Sequence, residues 1–199
     1  MTATPATSST SATRDPDVSA TTPTERLLTA ALLLAPLIYL AADSTYAARG
    51  WTDSTAGVLH VAGAIAYGFV VLRVASWLPR ESTLSAAVVL TGIIGLAGNV
   101  AYGFDTLHMS LGDTPLVDQS GAANLIKPLG LFFPLTMALV ALALAKLSHR
   151  WQGALVLVAS IAWPVAHIGN IAVLAVAVNI ALVVAFGSLV WVARVGRTG

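Results

Sequence analysis

The sequence predicts an all-α fold: a polytopic membrane protein with a bundle of six transmembrane helices and a disordered N-terminal tail. Hydrophobic residues make up 57% of the 199-residue chain and charged residues only 10%, whereas about a quarter of the residues in soluble domains are charged. Five long apolar stretches contain no Asp, Glu, Lys or Arg. Lysine and arginine are concentrated on alternate connections between the predicted helices, as the positive-inside rule predicts for a six-helix chain.

Residues 1–24 have the composition of a disordered cytoplasmic tail. They are mainly Thr, Ser, Ala and Pro, and such a segment cannot bury enough surface to offset the entropy of ordering it. A signal peptide with 27–42 as its apolar region is the alternative, but further spanning segments favour an uncleaved first helix. Residues 25–195 are predicted to form one transmembrane domain, with helices at 27–43, 54–77, 82–104, 127–146, 152–168 and 171–193.

The last apolar stretch, 153–193, is long enough for two membrane crossings. As a helix it would measure about 60 Å, twice the ~30 Å thickness of the hydrocarbon core. Gly169-Asn170 is the only good turn signal in this stretch. We therefore place the connection between helices five and six at this dipeptide.

The basic residues predict that both termini are cytoplasmic, in a plasma or bacterial inner membrane. Arg49 and Lys127 lie on outer connections, and the rest of the ten Lys and Arg residues lie inside. A high Ala content and an excess of Arg over Lys are typical of a GC-rich bacterial genome. Lipid is the predicted partner, and the sequence leaves open a homo-oligomer or a second membrane protein as a further partner.

Three polar side chains are predicted near the outer ends of the helices: His60, Asn99 and His167. At 1.5 Å per residue, each lies within about 10 Å of the outer interface. Asp105 and His108 begin the long outer connection and are placed to cover them as a lid. Imidazole and carboxylate ligands suit zinc, copper or iron, and two opposed imidazoles can bind a b-type haem. The candidate metal or haem ligands are His60, His167, His108 and Asp105.

The alternative is that each histidine is an isolated polar residue near the headgroups and that the aspartates are ordinary loop residues. An ionisable residue within a membrane is nevertheless a functional candidate by default. Three other polar residues are predicted within the helices and facing the bundle: Asn99, Asn179 and Tyr102. Asn99 and Tyr102 share a helical stripe with Gly92 and Gly95. One interhelical hydrogen bond would explain either asparagine.

Composition and motifs exclude several classes of function. The chain has no cysteine, which excludes disulfides, thiolate zinc sites, iron–sulfur clusters and covalently attached haem. The scattered basic residues do not form the patch that nucleic-acid binding requires. No nucleotide-binding, serine-hydrolase or zinc-protease motif occurs, so no catalytic function is recognised.

Three functions are consistent with the sequence. The first is a small bacterial integral membrane protein of unassigned activity with an outward-facing polar site. The second is a transporter or channel-like protein for a small solute or ion, with Asn99, Asn179 and proline-kinked helices forming its path. The third is a membrane redox, metal-binding or haem-binding protein that uses His60 and His167.

Overall fold

The computed structural model describes residues 22–195, with side chains described as far as Trp191. Its six long helices are apolar enough to cross a bilayer, which confirms the predicted fold class. Two short 3-10 helices, Leu116–Asp118 and Gly121–Leu125, lie between α3 and α4. The predicted tail lies outside the described residues except for its last three. The long helices are α1 (Pro23–Arg49), α2 (Ser54–Trp77), α3 (Thr83–Ser110), α4 (Ile126–Lys146), α5 (Arg150–Ile168) and α6 (Ala172–Val195).

Two helices extend further than the sequence predicted. α1 continues to Arg49 and α3 to Ser110, whereas the predicted ends were residues 43 and 104. The prediction that Asp105 begins the outer connection was wrong, because Asp105 lies within α3 and is only 2% exposed. Asp43, the last residue of the predicted first helix, lies six residues before the end of α1 and is 0% exposed. Their carboxylates have hydrogen-bond partners inside the protein. The helices can therefore continue beyond these acids without leaving a charge buried and unpaired.

The turn between α5 and α6 lies where the sequence placed it. Gly169 is the C-cap of α5, and Asn170 has a φ of 52°, a left-handed conformation that asparagine adopts more readily than most residues. The backbone N–H of Ile171 donates to the carbonyl of Ala166 at 2.7 Å and closes the last turn of α5. The prediction of two helices within 153–193 is therefore confirmed.

The six helices form a closed ring in chain order. Each helix packs against the next one along the chain, and α6 packs against α1. One end of the ring, the distal end, carries the connections 50–53, 111–125 and 169–171. The opposite, proximal end carries the start of α1 and the connections 78–82 and 147–149.

The interior of the ring has three layers. Most buried polar side chains lie in its distal half, and aliphatic side chains such as Val70, Val140 and Leu144 fill most of its proximal half, where Gln152 is a buried polar residue. Between them lies the aromatic layer, in which neighbouring ring centroids are 5.2–6.4 Å apart, distances typical of favourable aromatic pairs. The aromatic layer consists of Tyr39, Tyr67, Phe133, Trp163 and Phe186. Large side chains thus separate the polar half from the proximal end.

α3 and α4 make a close backbone contact at Gly95. A methyl group on Gly95 would lie only 2.6 Å from the backbone nitrogen of Phe133. Gly92, Gly95 and Asn99 are all buried, as the predicted stripe requires, while Tyr102 is half-buried. Small residues permit this approach, which is how helices associate where lipid removes the hydrophobic driving force.

We expect Gly95→Ala to destabilise the protein by about 1–3 kcal/mol. The new methyl group would overlap with the backbone of α4, which can move away only if the helix as a whole shifts. Thermal unfolding in detergent would show this as a lowered Tm. Gly187→Ala is the matched control, since a methyl group there lies 3.4 Å from its nearest neighbour, a side-chain atom of Leu33. Equal stability of the two variants would mean that α3 and α4 are further apart than described.

Candidate functional site

Polar side chains from five helices meet in the distal half of the ring. We call Asp43, His60, Asn99, His167 and Asn179 the polar cluster. Asp43 and His60 lie about 9 Å along the helix axis from the distal ends of α1 and α2. The side chain of His167 is 11% exposed, and the other four residues are buried. The cluster is therefore largely removed from solvent within segments that are long enough to span a membrane.

Asp43 is the only acid in the polar cluster, and His167 is its ring partner. The Nε2 atom of His167 lies 3.3 Å from both carboxyl oxygens of Asp43. The side-chain amide of Asn179 donates to Oδ2 of the same carboxyl group. Asn179 also donates to the carbonyl of Ala175, so both of its amide protons are engaged and its orientation is fixed. Three helices, α1, α5 and α6, are joined by these contacts.

The contacts of the Asp43–His167 pair suit one proton shared between the ring and the carboxyl group. The Nδ1 atom of His167 lies 3.0 Å from the carbonyl oxygen of Trp163, which can only accept, so Nδ1 carries a hydrogen. The Nε2 atom faces carboxyl oxygens, and a hydrogen bond there requires a second proton on either the ring or the carboxyl group. Loss of this proton would leave a ring lone pair against a carboxylate. The geometry of the pair is therefore that of a hydrogen bond that depends on one proton.

Asn99 fixes the orientation of His60. The side-chain amide of Asn99 donates to the carbonyl of Gly95 at 3.0 Å, which turns its Oδ1 atom towards Tyr39 and His60. The Tyr39 hydroxyl donates to Oδ1 at 3.1 Å, and the Nε2 atom of His60 lies 3.3 Å from the same oxygen. The Tyr39 hydroxyl, 3.4 Å from the same Nε2 atom, gives its single hydrogen to Asn99. In this network both oxygen neighbours of Nε2 accept, so Nε2 of His60 carries the ring hydrogen.

This assignment leaves the Nδ1 atom of His60 as a free base. Nδ1 is buried and makes no hydrogen bond to any described residue. A buried acceptor without a partner costs about 1–3 kcal/mol. Such an uncompensated group is typical of a site that receives a proton or a ligand during function.

Aromatic rings surround the two histidines. Trp163 stacks on His167 with ring centroids 4.2 Å apart, and Tyr39 lies 4.8 Å from His60 in an edge arrangement. Trp51, in the connection after α1, stacks on Tyr46 at 5.0 Å and lies 5.8 Å from His167. Because Trp51 is half-buried, its indole lies between the polar cluster and the surroundings at the distal end.

The structure brings together most of the polar residues that the sequence singled out. The ring centroids of His60 and His167 are 6.3 Å apart, and Asn99, on the adjacent helix α3, lies 3.3 Å from Nε2 of His60. Asn179 joins them through Asp43. The two histidines are therefore neighbours, although His167 also bonds to the carbonyl of Trp163, as the alternative of separate polar residues expects.

The predicted lid does not form part of the cluster. Asp105 accepts a 2.8 Å hydrogen bond from the backbone N–H of Leu116 and ties the 111–125 connection to α3. His108 pairs with Asp113 at 3.3 Å, and both side chains are largely exposed. Within residues 22–191 neither Asp105 nor His108 contacts His60 or His167 through a hydrogen bond or ring contact. Tyr102 packs over Gly130 of α4 instead of entering the cluster.

Comparisons with protein-family models, curated proteins and solved structures find no match for this chain. The geometry of the polar cluster must therefore support any functional proposal by itself.

The residues present do not fit a b-type haem between His60 and His167. Axial ligation needs one free nitrogen on each ring, but both nitrogens of His167 already face oxygen atoms, those of Trp163 and Asp43. Tyr39 and Trp163 also lie directly against the two rings. For a single metal ion, no group of three or more His, Asp or Glu side chains in the described part of the chain is suitably placed.

The sequence contained a helical spacing pattern that could have identified the buried polar face of α1, which the sequence analysis missed. Tyr39, Asp43 and Tyr46 are spaced by four and three residues, so they share one face of α1. All three are buried, at 4% exposure or less. Ending the first helix at residue 43 concealed this stripe, because it placed Asp43 at the helix end and Tyr46 in a connection.

Proposed function

We propose that this chain is a multi-pass cell-membrane protein with cytoplasmic termini, and that its distal end faces outside. The positive-inside rule supports this orientation. In the described part of the chain, Arg49 and Lys127 lie towards the distal end. The basic residues towards the proximal end are Arg26, Arg73, Arg80, Lys146 and Arg150. In this orientation the polar cluster lies close to the outer surface.

Single cysteines test this orientation cleanly, because the chain has none of its own. We expect Ser120→Cys, in the 111–125 connection, to react with a membrane-impermeant maleimide added outside intact cells. Ser148→Cys, in the connection between α4 and α5, should react only after the membrane is opened. Both serines are exposed. Outside labelling of Ser148→Cys would reverse the assignment.

We further propose that the protein is a proton-coupled transporter for a small solute or ion. The single observation that carries this proposal is the Asp43–His167 pair, a fully buried carboxyl group bonded to an imidazole within membrane-spanning helices. Ionisable groups are costly in a membrane interior, and those that persist there commonly form proton relays in pumps and transporters. A hydrogen bond between two neutral side chains could hold the same helices together without the cost of burying an ionisable pair, so helix packing alone does not require this pair.

The closed interior favours a carrier over an open channel. The aromatic layer lies between the polar cluster and the proximal end, so access to the cluster is from the distal side. Three prolines lie within one helical turn of this layer: Pro36 near Tyr39, Pro134 next to Phe133, and Pro164 next to Trp163. Proline removes a helix hydrogen bond and permits bending at that level. Bending there would open the layer and expose the cluster to the other side.

We expect acid to quench the fluorescence of Trp163, because an imidazolium in contact with an indole quenches emission more strongly than neutral imidazole does. The measurement uses purified protein carrying His149→Gln, which removes the His149–Trp77 pair at the proximal end. In this background, emission should fall as the pH is lowered. Adding His167→Gln should remove the fall. Asp43→Asn should also remove it, because no carboxylate remains to balance the imidazolium.

Trp163→Phe in the same background tests whether Trp163 is the tryptophan whose emission responds to acid. The acid-induced fall in emission should be largely lost in this variant. Circular dichroism would establish that each variant remains helical. An acid-induced fall of unchanged size in both His167→Gln and Asp43→Asn would overturn the proposal that this pair takes up the proton.

A further inference from the structure

The negative charge of Asp43 has no basic side chain to balance it. Asp43 and Asp105 are the buried acids of residues 22–191, and no lysine or arginine in that range is buried. Asp105 accepts a hydrogen bond from the backbone N–H of Leu116 in the 111–125 connection. Neutrality in the polar cluster therefore depends on a proton held by the histidines or on a cation that replaces it.

The cluster offers three acceptors once the proton has left. They are the carboxylate of Asp43, the bare Nε2 atom of His167 and the free Nδ1 atom of His60. A primary ammonium group carries three N–H donors, so its donors match these acceptors in number. The cluster contains no other buried cation that would repel such a group.

The separation of the two imidazole rings suits a small bridging group. A direct hydrogen bond between two rings, with nitrogens about 2.9 Å apart, would bring their centroids to about 5 Å. The centroids of His60 and His167 are instead 6.3 Å apart, with the ring planes at 74°. This spacing is compatible with one heavy atom that bonds to both rings.

The aromatic surroundings favour an organic or ammonium cation over a metal ion. Tyr39, Tyr46, Trp51 and Trp163 lie against the two histidines, and aromatic faces attract ammonium groups. Hard metal cations prefer a shell of six or more oxygen ligands. The polar cluster provides a mixture of imidazole nitrogen, a single carboxylate and aromatic carbon.

We infer that the polar cluster binds a small N–H-donating cation, ammonium or a small primary ammonium ion, in exchange for its proton. This inference rests on the proposed proton-coupled function and names the substrate class. When the cation enters, the proton of the Asp43–His167 pair leaves to the aqueous phase at the distal end. One positive charge is exchanged for another, and no bond other than N–H or O–H is broken.

The test uses the acid-quenched fluorescence of detergent-solubilised full-length protein carrying His149→Gln. Ammonium chloride and methylammonium chloride are titrated separately at constant pH and ionic strength. We expect saturable recovery of emission, because the cation displaces the quenching proton from His167. Sodium, potassium and tetramethylammonium chlorides, which have no N–H donor, should give no saturable recovery. Tighter binding of ammonium would assign the inorganic ion, and tighter binding of methylammonium would assign an amine.

His60→Gln removes the free acceptor and can retain the hydrogen bond to Asn99. The glutamine amide nitrogen can donate to Asn99 as Nε2 of His60 does, but the ring lone pair at Nδ1 is lost. We expect the concentration for half recovery to rise about tenfold or more, with the acid quench itself retained. His108→Gln is the matched control, because His108 is an exposed histidine outside the cluster, and it should leave the titration unchanged.

The cation series on the protein with His60 intact decides the inference even if His60→Gln fails to fold. Equal recovery with sodium or potassium, or saturable recovery with tetramethylammonium, would overturn recognition through N–H donors. An acid quench that no ammonium ion relieves would overturn the substrate assignment and leave the proton site standing. Absence of the acid quench would instead overturn the proposed function.

Discussion

The contact between Asp43 and His167 is the constraint on which the rest of the distal half depends. A carboxyl group with no exposed surface must be either neutral or paired, because an unpaired charge costs several kcal/mol even after the protein relaxes around it. His167 and Asn179 supply the pairing from α5 and α6. The carboxyl group of Asp43 thus ties together α1, α5 and α6, and in the proposed function its proton has a structural as well as a functional role.

His60 and Asn99, the other members of the polar cluster, are held in place by hydrogen bonds and add no further charge beside this pair. Asn99 accepts from both Tyr39 and His60 and uses its own amide to bond to Gly95. These bonds fix one ring nitrogen of His60 as a donor and leave the other as an acceptor. The same glycine permits the close approach of α3 to α4. Helix packing and the chemistry of the cluster therefore depend on the same short segment of α3.

Much of the fold could be predicted from the sequence because lipid restricts what a chain can do. Charge-free stretches of sufficient length fix the number of helices, and Gly169-Asn170 was a sufficient turn signal. His60, Asn99 and His167 were found because polar residues within spanning segments are conspicuous. Asp43 was missed because an acid near a helix end resembles an interfacial residue, and only the partners on α5 and α6 make it an interior one. Asp105 and His108 were assigned to a lid because they were placed in the outer connection, whereas α3 continues through both residues to Ser110.

Infrared difference spectroscopy would test most directly whether the Asp43–His167 pair carries the exchangeable proton. Spectra recorded at acidic and neutral pH would be subtracted for the unmodified protein, for Asp43→Asn and for Asp105→Asn, an equally buried acid outside the cluster. The account predicts imidazolium and carboxyl bands that disappear in Asp43→Asn and persist in Asp105→Asn. The same bands in Asp43→Asn, unchanged in size and position, would contradict it.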